Sequence, residues 1–181
     1  MRSYHTRLND GVPVTIRYAD EGEVDELTAI EIDADQRYAD SLHPEMAKGD
    51  HIPSEALARA VGRRQVIVAV EDDVILGWLL LTKSGDEICI GQISVRRSAG
   101  GKGIGTTLLR TIVESVRSAG HQSIVLNTQA DVPWNQPWYE RRGFVVVPPD
   151  EWSADMHVIA EEQSADGLDW NTRVHMRLRL E

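Results

Sequence analysis

The chain contains little of what several classes of protein depend on. Cys89 is the single cysteine among 181 residues, so no internal disulfide can form and a reducing compartment suits the protein. The N-terminal residues lead into no apolar signal segment, and no apolar run approaches the roughly 20 residues that a membrane span requires. We therefore expect a cytoplasmic protein that has no membrane partner.

The chain also has fewer basic than acidic residues. The chain has 19 Lys and Arg residues against 29 Asp and Glu residues, which gives a formal net charge of −10. Such a charge is poorly suited to a phosphate backbone, so we expect no nucleic-acid partner. An acidic surface attracts cationic ligands such as amines, although many acidic proteins are simply soluble. His43 and His51 do not have the spacing of metal ligands, and no metal site is predicted.

The length of the chain suits one domain with a good core. No repeat, low-complexity tract or linker divides the sequence. The prediction is therefore a single domain over residues 1–181, in which residues 1–12 are a candidate flexible segment.

Hydrophobic patterns predict the order of strands and helices. Strands are predicted at Val14–Tyr18, Val66–Val70, Val74–Leu81, Ile88–Val95, Ser123–Leu126, Phe144–Val147 and Arg173–Leu180. Helices are predicted after Asp20, at Ser54–Arg63, from Ile104 to Gly120 and at Trp152–Gln163. Short turns join the strands between residues 66 and 95, which predicts an antiparallel meander, whereas the long helix joins two strands that should lie parallel. The fold class is therefore α/β, with a mixed, mostly antiparallel central sheet and flanking helices.

Two patterns predict which faces are buried. The first helix should carry Val24, Leu27, Ile30 and Ile32 on roughly one face, which is its buried face. The last strand alternates strictly between apolar and polar residues, which places His175 on its outward face.

A glycine-rich turn between a strand and the long helix is the most informative segment. Its glycines allow the backbone to approach a ligand closely, and the free amides at the start of a helix attract anions. A phosphate-bearing ligand is therefore expected. The Walker A pattern fails because Arg96 takes the place of its leading glycine and Gly103 follows Lys102. The dinucleotide pattern fails because Thr106 follows where a third glycine is needed.

The turn resembles the acetyl-CoA loop of the GNAT acyltransferases, Gln/Arg-x-x-Gly-x-Gly/Ala. Gly103 and Gly105 fit the two small positions, while Gly100 stands where the family has Gln or Arg. A later segment resembles the family's second motif, with Asn135 before a short helix, then Tyr139, then Gly143-Phe144 at the next strand. The resemblance extends from about residue 14 to the C-terminus and implies a single GNAT-like domain with a splayed parallel strand pair.

The resemblance also implies roles for these residues, with acetyl-CoA as the co-substrate. Backbone groups near Ile93 and Val95 would bind the pantetheine arm, and Asn135 would help to hold it. The pyrophosphate would lie against the amides and the hydroxyl of one segment: Gly100, Gly101, Lys102, Gly103, Ile104, Gly105 and Thr106. Tyr139 would be the catalytic acid that protonates the departing thiolate.

Charged residues near the motifs are less specific. Arg96, Arg97 and Lys102 either meet phosphates or remain solvated. Many relatives carry a general base, a Glu, on the strand before the loop, and Gln92 occupies that place here. An amide cannot take a proton, so Glu31, Asp33 and Asp35 are alternative bases or cation-binding groups. An amine that loses its proton to water needs no such base.

These features together predict an acetyl-CoA-dependent N-acetyltransferase that moves the acetyl group directly onto a primary amine, in the first place that of a small molecule. A protein amino group is the rival acceptor. A non-catalytic acyl-CoA-binding module is the alternative from another class, because Gly100 and Gln92 depart from the family pattern. Family members often dimerise, so a homodimer is left open. The identity of the acceptor is not indicated.

Overall fold

The computed structural model describes residues 4–8, 13–49 and 51–180. Their strands are β1 (Tyr4–Arg7), β2 (Pro13–Tyr18), β3 (Val66–Glu71), β4 (Val74–Ser84), β5 (Glu87–Val95), β6 (Ser123–Gln129), β7 (Val145–Val146) and β8 (Arg173–Arg179). Their α-helices are α1 (Val24–Asp35), α2 (Ser54–Gly62), α3 (Ile104–Ser118), α4 (Gln136–Glu140) and α5 (Ala154–Ala165). Among these described elements, no helix has the length and apolar character needed to cross a membrane.

The strands form one hydrogen-bonded sheet in the order β1-β2-β3-β4-β5-β6-β8-β7. The pairs β1/β2, β2/β3, β3/β4, β6/β8 and β7/β8 are antiparallel, and the pair β5/β6 is parallel. The predicted fold class, α/β with a mixed and mostly antiparallel sheet, is confirmed. Strand β1 was not predicted, because it lies in the segment expected to be a flexible N-terminus.

The chain divides into two compact units. Unit 1 comprises the described residues up to Leu81 together with Gln92–Glu114, and unit 2 comprises Thr82–Gly91 and the described residues from Ser115 onward. Strands β4 and β5 and helix α3 each contribute residues to both units.

The core of unit 1 forms where α1 and α2 pack against β3 and β4. Leu27 and Ile30 of α1, Leu57 of α2 and Trp78 of β4 are all fully buried there. The indole nitrogen of Trp78 donates a hydrogen bond to the Leu27 carbonyl at 2.9 Å. Each such large apolar side chain stabilises the fold by about 1.5–3 kcal/mol through burial alone.

The predicted face of α1 is correct except at its last residue. Ile32 is 41 % exposed, whereas Glu31 is buried with only 4 % of its surface accessible. Helical geometry explains the difference, because residues three, four and seven positions apart share a face. Glu31 lies four residues after Leu27 and therefore shares its inward face, while Ile32 is rotated away. A carboxyl group thus takes an inward position in α1.

Unit 2 is built around β6, which pairs with β5 on one side and with β8 on the other. The parallel ladder has two residue pairs, Ile88 with Ile124 and Cys89 with Val125. The ladder ends after these two pairs. The part of β5 that belongs to unit 2 nevertheless runs on to Gly91, and β6 runs on to Gln129. Cys89 packs in an apolar cluster and burial raises the pKa of its thiol, as expected for a core cysteine rather than a nucleophile.

Two predictions for the C-terminal third need correction. The strand expected at Phe144–Val147 is reduced to Val145–Val146, because the Phe144 amide still bonds back to the Tyr139 carbonyl at 3.2 Å. His175, expected to face outward, is 2 % exposed. Its ring lies against Trp152 and Trp170, with ring centroids 4.8 and 4.6 Å away, so both faces of β8 are covered.

The remaining helix boundaries shift by a few residues. Helix α5 starts at Ala154 because Ser153 caps it, accepting a hydrogen bond from the Met156 amide at 3.3 Å. Helix α3 ends at Ser118 rather than Gly120, which lies in the following turn with φ +86°.

Candidate active site

The glycine-rich turn of unit 1 is held at the point where β5 ends and α3 begins. The Arg96 amide donates to the Leu76 carbonyl of β4 at 2.9 Å, which fixes the exit of β5. A methyl group on Gly77 would lie 2.7 Å from the Ser94 carbonyl oxygen and 3.2 Å from the Ile104 side chain. Only glycine at position 77 therefore allows β4 to approach both the end of β5 and the start of α3 so closely.

The turn itself depends on backbone conformations that favour glycine. Gly101 and Gly103 have φ values of +78° and +93°. The amide of Thr107 makes the first intrahelical hydrogen bond, to the Gly103 carbonyl at 2.9 Å, so the amides of Ile104 and Gly105 precede that bond. Amides at such a position attract an anion, helped by the helix dipole. The turn is thus shaped as expected for a phosphate-binding loop.

Two arginines before the turn pair with α1. Arg96 donates from Nη2 to Oε1 of Glu26 at 2.7 Å. The backbone amide and the Nε of Arg97 donate to the carboxylate of Asp33 at 2.7 and 3.1 Å. Both arginines thus anchor the start of the turn to α1, while the Arg97 side chain stays 57 % exposed. Whether they also meet phosphates stays a prediction.

Asp33 is consequently the weakest of the three candidate bases. The hydrogen bond from the Arg97 amide holds the pKa of Asp33 below its ordinary value, and the guanidinium acts in the same direction. A carboxylate that is stabilised in this way has little tendency to accept a proton.

Glu31 contacts Gln92, the strand residue at whose place the family resemblance implies a base. Its Oε1 accepts a long hydrogen bond, 3.4 Å, from Nε2 of Gln92. The same amide nitrogen donates to Oγ of the buried Ser94 at 3.0 Å, which fixes its orientation. Oε2 of Glu31 is buried and has no hydrogen-bond partner in the part of the chain that the structure describes.

Asp35 and His51 gather beside Glu31. The Nδ1 of His51 lies 3.7 Å from Oδ2 of Asp35, and each of the three side chains places one polar atom within 4.8 Å of the others. Burial, and then the charge of Asp35, raises the pKa of Glu31 to about 7. Burial likewise raises the pKa of Asp35 to about 6, with His51 acting in the opposite direction. The sequence analysis considered His51 only as a metal ligand and missed its place beside these carboxyls. That signal is not local, because His51 lies on the segment that leads into α2.

The second predicted motif forms one rigid turn of unit 2. The carbonyl of Asn135 accepts hydrogen bonds from the amides of Trp138 and Tyr139, at 2.8 and 3.0 Å, and so starts α4. The half-buried Tyr139 ring packs edge-on against Trp138 and Phe144, with centroids 4.9 and 5.5 Å away. The guanidinium of Arg142 lies 3.7 Å from the Trp138 ring centroid. The Trp138 ring therefore contacts both Arg142 and Tyr139.

The structure therefore groups the predicted site residues in two sets. Unit 1 holds Ile93 and Val95 at the end of β5, the loop from Gly100 to Thr106, and the cluster around Glu31. Unit 2 holds Asn135 and Tyr139, four residues apart on one turn.

Comparison with known proteins shows the family to which the chain belongs. A family model described as the acetyltransferase (GNAT) family matches residues 24–144. The match starts with α1 and ends at Phe144, so it contains the loop, the cluster around Glu31 and the Tyr139 turn.

Solved structures share the fold at low identity. N-acetylglutamate synthase from Neisseria gonorrhoeae, complexed with coenzyme A and N-acetyl-glutamate, superposes with a TM-score of 0.70 at 19 % identity, and the match covers 93 % of this chain and 35 % of that one. The chain thus spans about a third of that synthase. The PaiA N-acetyltransferase from Thermoplasma acidophilum, in complex with coenzyme A, has a TM-score of 0.67 at 14 % identity, covering 92 % and 98 %. The ribosomal-protein-S18-alanine N-acetyltransferase from Escherichia coli has a TM-score of 0.66 at 14 % identity, covering 93 % and 94 %.

Proposed function

Because this chain belongs to the GNAT acetyltransferase family, we propose that it moves an acetyl group from acetyl-CoA directly onto the primary amine of a small molecule. The observation that carries the proposal is the extent of the family match, which includes both motifs and the helix between them. Membership also supports an enzyme over the alternative of a non-catalytic acyl-CoA-binding module.

The loop of unit 1 supports acetyl-CoA as the donor. Two of the similar structures were solved with coenzyme A, the carrier that remains after acetyl transfer. In this chain the pyrophosphate would lie against the amides from Gly100 to Gly105, with the Thr106 hydroxyl beside them. The pantetheine arm would pair with the backbone near Ile93 and Val95, and Asn135 would help to hold it. A backbone N–H near Val95 would polarise the thioester carbonyl.

Tyr139 is proposed as the acid that completes the transfer. Expulsion of a thiolate is helped by a proton donor, and a phenol with a pKa of about 10 suffices when its geometry is right. The packing of the Tyr139 ring between Trp138 and Phe144 supports this role, since a fixed hydroxyl is oriented in advance of the reaction.

A small amine is proposed as the acceptor, in agreement with the net charge of −10. A protein amino group is the second candidate, because one structurally similar enzyme is named for the alanine of a ribosomal protein. A cytoplasmic location and a homodimer both stay predictions.

The test is thiol release from acetyl-CoA by the purified protein in the presence of pooled polyamines, aromatic amines or amino acids. We expect release that depends on one pool. A control without amine measures hydrolysis, and calorimetry measures acetyl-CoA binding separately. Absence of release from every pool, with acetyl-CoA bound, would favour a protein acceptor or the non-catalytic module. Absence of acetyl-CoA binding would contradict the proposal altogether.

A further inference from the structure

We propose that Glu31 receives the ammonium group of the acceptor and takes its proton, so that a carboxyl group on helix α1 replaces the base that strand β5 lacks. The inference rests on the proposed acetyl transfer and adds to it the group that activates the acceptor. It also explains how Gln92 is accommodated at the family's base position.

Glu31 lies beside the last residues of strand β5. Gln92 stands on β5 three residues before the strand ends at Val95, where the proposed donor site begins. Its amide cannot accept a proton, but it donates toward Glu31 across 3.4 Å and is itself oriented by Ser94. The carboxyl that position 92 of β5 lacks is therefore supplied to the same place from α1, and Gln92 acts as a positioning residue.

One oxygen of Glu31 is available to a ligand. Glu31 is 4 % exposed, and its Oε2 has no hydrogen-bond partner among the residues described. A buried carboxylate with an unpaired oxygen is costly, and it is stabilised when an opposite charge lies beside it. An ammonium group, which carries both a positive charge and protons to donate, fits this requirement.

The surroundings of Glu31 are mostly polar. Among the described residues, it is faced by Asp35 from its own helix, by His51 and the hydrogen-bonding Ile52 amide from the segment before α2, and by the uncharged Gln92 from β5. Asp35 adds a second negative charge, which favours a cation. The side chains of Asp35 and His51 retain 22 % and 25 % exposure, so the cluster is open to solvent on that side.

The proton affinity of Glu31 agrees with the role. Burial and the charge of Asp35 raise its pKa to about 7, whereas Asp33 is held below its ordinary value by Arg97. A base works best when its pKa lies close to the operating pH. Of the carboxyl groups on this stretch of α1, Glu31 combines the raised pKa with an oxygen that has no hydrogen-bond partner among the described residues.

In the proposed transfer step, every proton and electron pair is accounted for. The ammonium nitrogen gives one proton to Oε2 of Glu31, and its lone pair forms the C–N bond with the thioester carbonyl carbon. The C–S bond breaks with its electron pair on sulfur, and the Tyr139 hydroxyl protonates that thiolate. The second nitrogen proton returns to the Tyr139 phenolate, and Glu31 releases its proton to solvent. The products are an amide, coenzyme A and one proton.

The kinetic test compares Glu31→Gln with the wild type, using the amine that supports thiol release. Glu31→Gln keeps the shape of the side chain but removes the base, so we expect kcat/KM to fall by about 10²- to 10⁴-fold at neutral pH. The wild-type profile should rise to an inflection near pH 7, which the variant should lack. As pH approaches the pKa of the amine, the two rates should converge because solvent then supplies the neutral amine. Asp25→Asn, which changes an exposed carboxyl on the same helix, is the matched control and should leave the profile unchanged.

A second measurement is independent of turnover. In protein labelled with ¹³C at the glutamate carboxyl carbon, the Glu31 signal is assigned by its loss in Glu31→Gln. Its titration midpoint should lie near 7 and should move to lower pH when the amine and coenzyme A are added. A midpoint at the ordinary glutamate value, or one that does not respond to the amine, would overturn the inference.

The outcomes separate the two proposals. If the wild type releases thiol and Glu31→Gln does so equally fast with the same pH profile, the inference about Glu31 is wrong and acetyl transfer stands. If the wild type binds acetyl-CoA but acts on no amine, the proposed function fails and the inference fails with it.

Discussion

Glu31→Gln should stabilise the protein at alkaline pH, in opposition to its effect on activity. The pKa of Glu31 rises from 4.5 to about 7 on folding, so the folded state prefers the protonated carboxyl. The unfolded state binds fewer protons than the folded state between these pH values, and the free energy of unfolding therefore falls as pH rises through them. The loss reaches at most about 3 kcal/mol and is complete above the folded-state pKa.

Replacement by Gln removes this pH dependence. At about pH 4, below the unfolded-state pKa of 4.5, the protonated Glu and the Gln are nearly equivalent, so the two proteins should melt together. At about pH 8 the variant should be more stable by about 2–3 kcal/mol, which corresponds to a rise in melting temperature of about 5–10 °C for a chain of this size. Gain of stability with loss of activity is the pattern expected when a functional site keeps a buried charge.

The assay is thermal unfolding followed by circular dichroism, across a series of buffers from acidic to alkaline pH. Asp25→Asn is again the control, since an exposed carboxyl on α1 should not change the slope. If melting temperature plotted against pH gave parallel curves for Glu31→Gln and the wild type, the reasoning would be refuted. Such curves would show that Glu31 titrates at the same pH in the folded and the unfolded state.

Three further predictions concern the loop and the proposed acid. Tyr139→Phe should lower turnover about tenfold or more with acetyl-CoA binding intact, and unchanged steady-state turnover would remove Tyr139 from the mechanism. Gly101→Ala should weaken acetyl-CoA binding in calorimetry, because φ +78° costs a side-chain-bearing residue about 1–2 kcal/mol, whereas Gly22→Ala, where a Cβ meets nothing within 4 Å, should bind normally. Asp33→Asn should weaken acetyl-CoA binding by loosening the start of the loop, and Arg97→Ala, which keeps the backbone amide bond to Asp33, should weaken it less. The double variant should be no worse than Asp33→Asn alone, and additive losses would contradict a shared anchor.

The features that local patterns encode were predictable from the sequence. Alternation and short turns predicted the meander, and the long amphipathic helix after β5 predicted the parallel pair with β6. The glycines of the loop were recognisable because positive φ at Gly101 and Gly103 restricts the choice of residue. The family match confirms the recognition to which these two segments led.

The choice among the three carboxyl groups of α1 was not predictable, because it depends on partners far away in the sequence. Glu31 meets a residue 61 positions later, and Asp33 meets one 64 positions later. Local sequence shows three acidic residues on alternate positions of one helix and cannot distinguish them. In the part of the chain that the structure describes, the distant contacts make Asp33 an anchor, while Oε2 of Glu31 has no hydrogen-bond partner.

His175 was assigned to the wrong side for the same reason. Strict alternation indicates a strand with one wet face, and β8 does alternate. The outward face is nevertheless covered, because Trp152 and Trp170 fold back over the imidazole and the Met156 carbonyl lies 3.0 Å from its Nε2. Burial lowers the pKa of this histidine, which favours its neutral form and a structural role.

The most direct test of the central claim follows the acetyl group itself. Acetyl-CoA labelled with ¹³C at the acetyl carbonyl carbon is incubated with the protein and the active amine pool, and the label is followed by NMR. The account predicts that the thioester signal is replaced by an amide signal on the amine, at the rate of thiol release. A label that remains in the thioester, or that appears as free acetate, would contradict acetyl transfer to an amine.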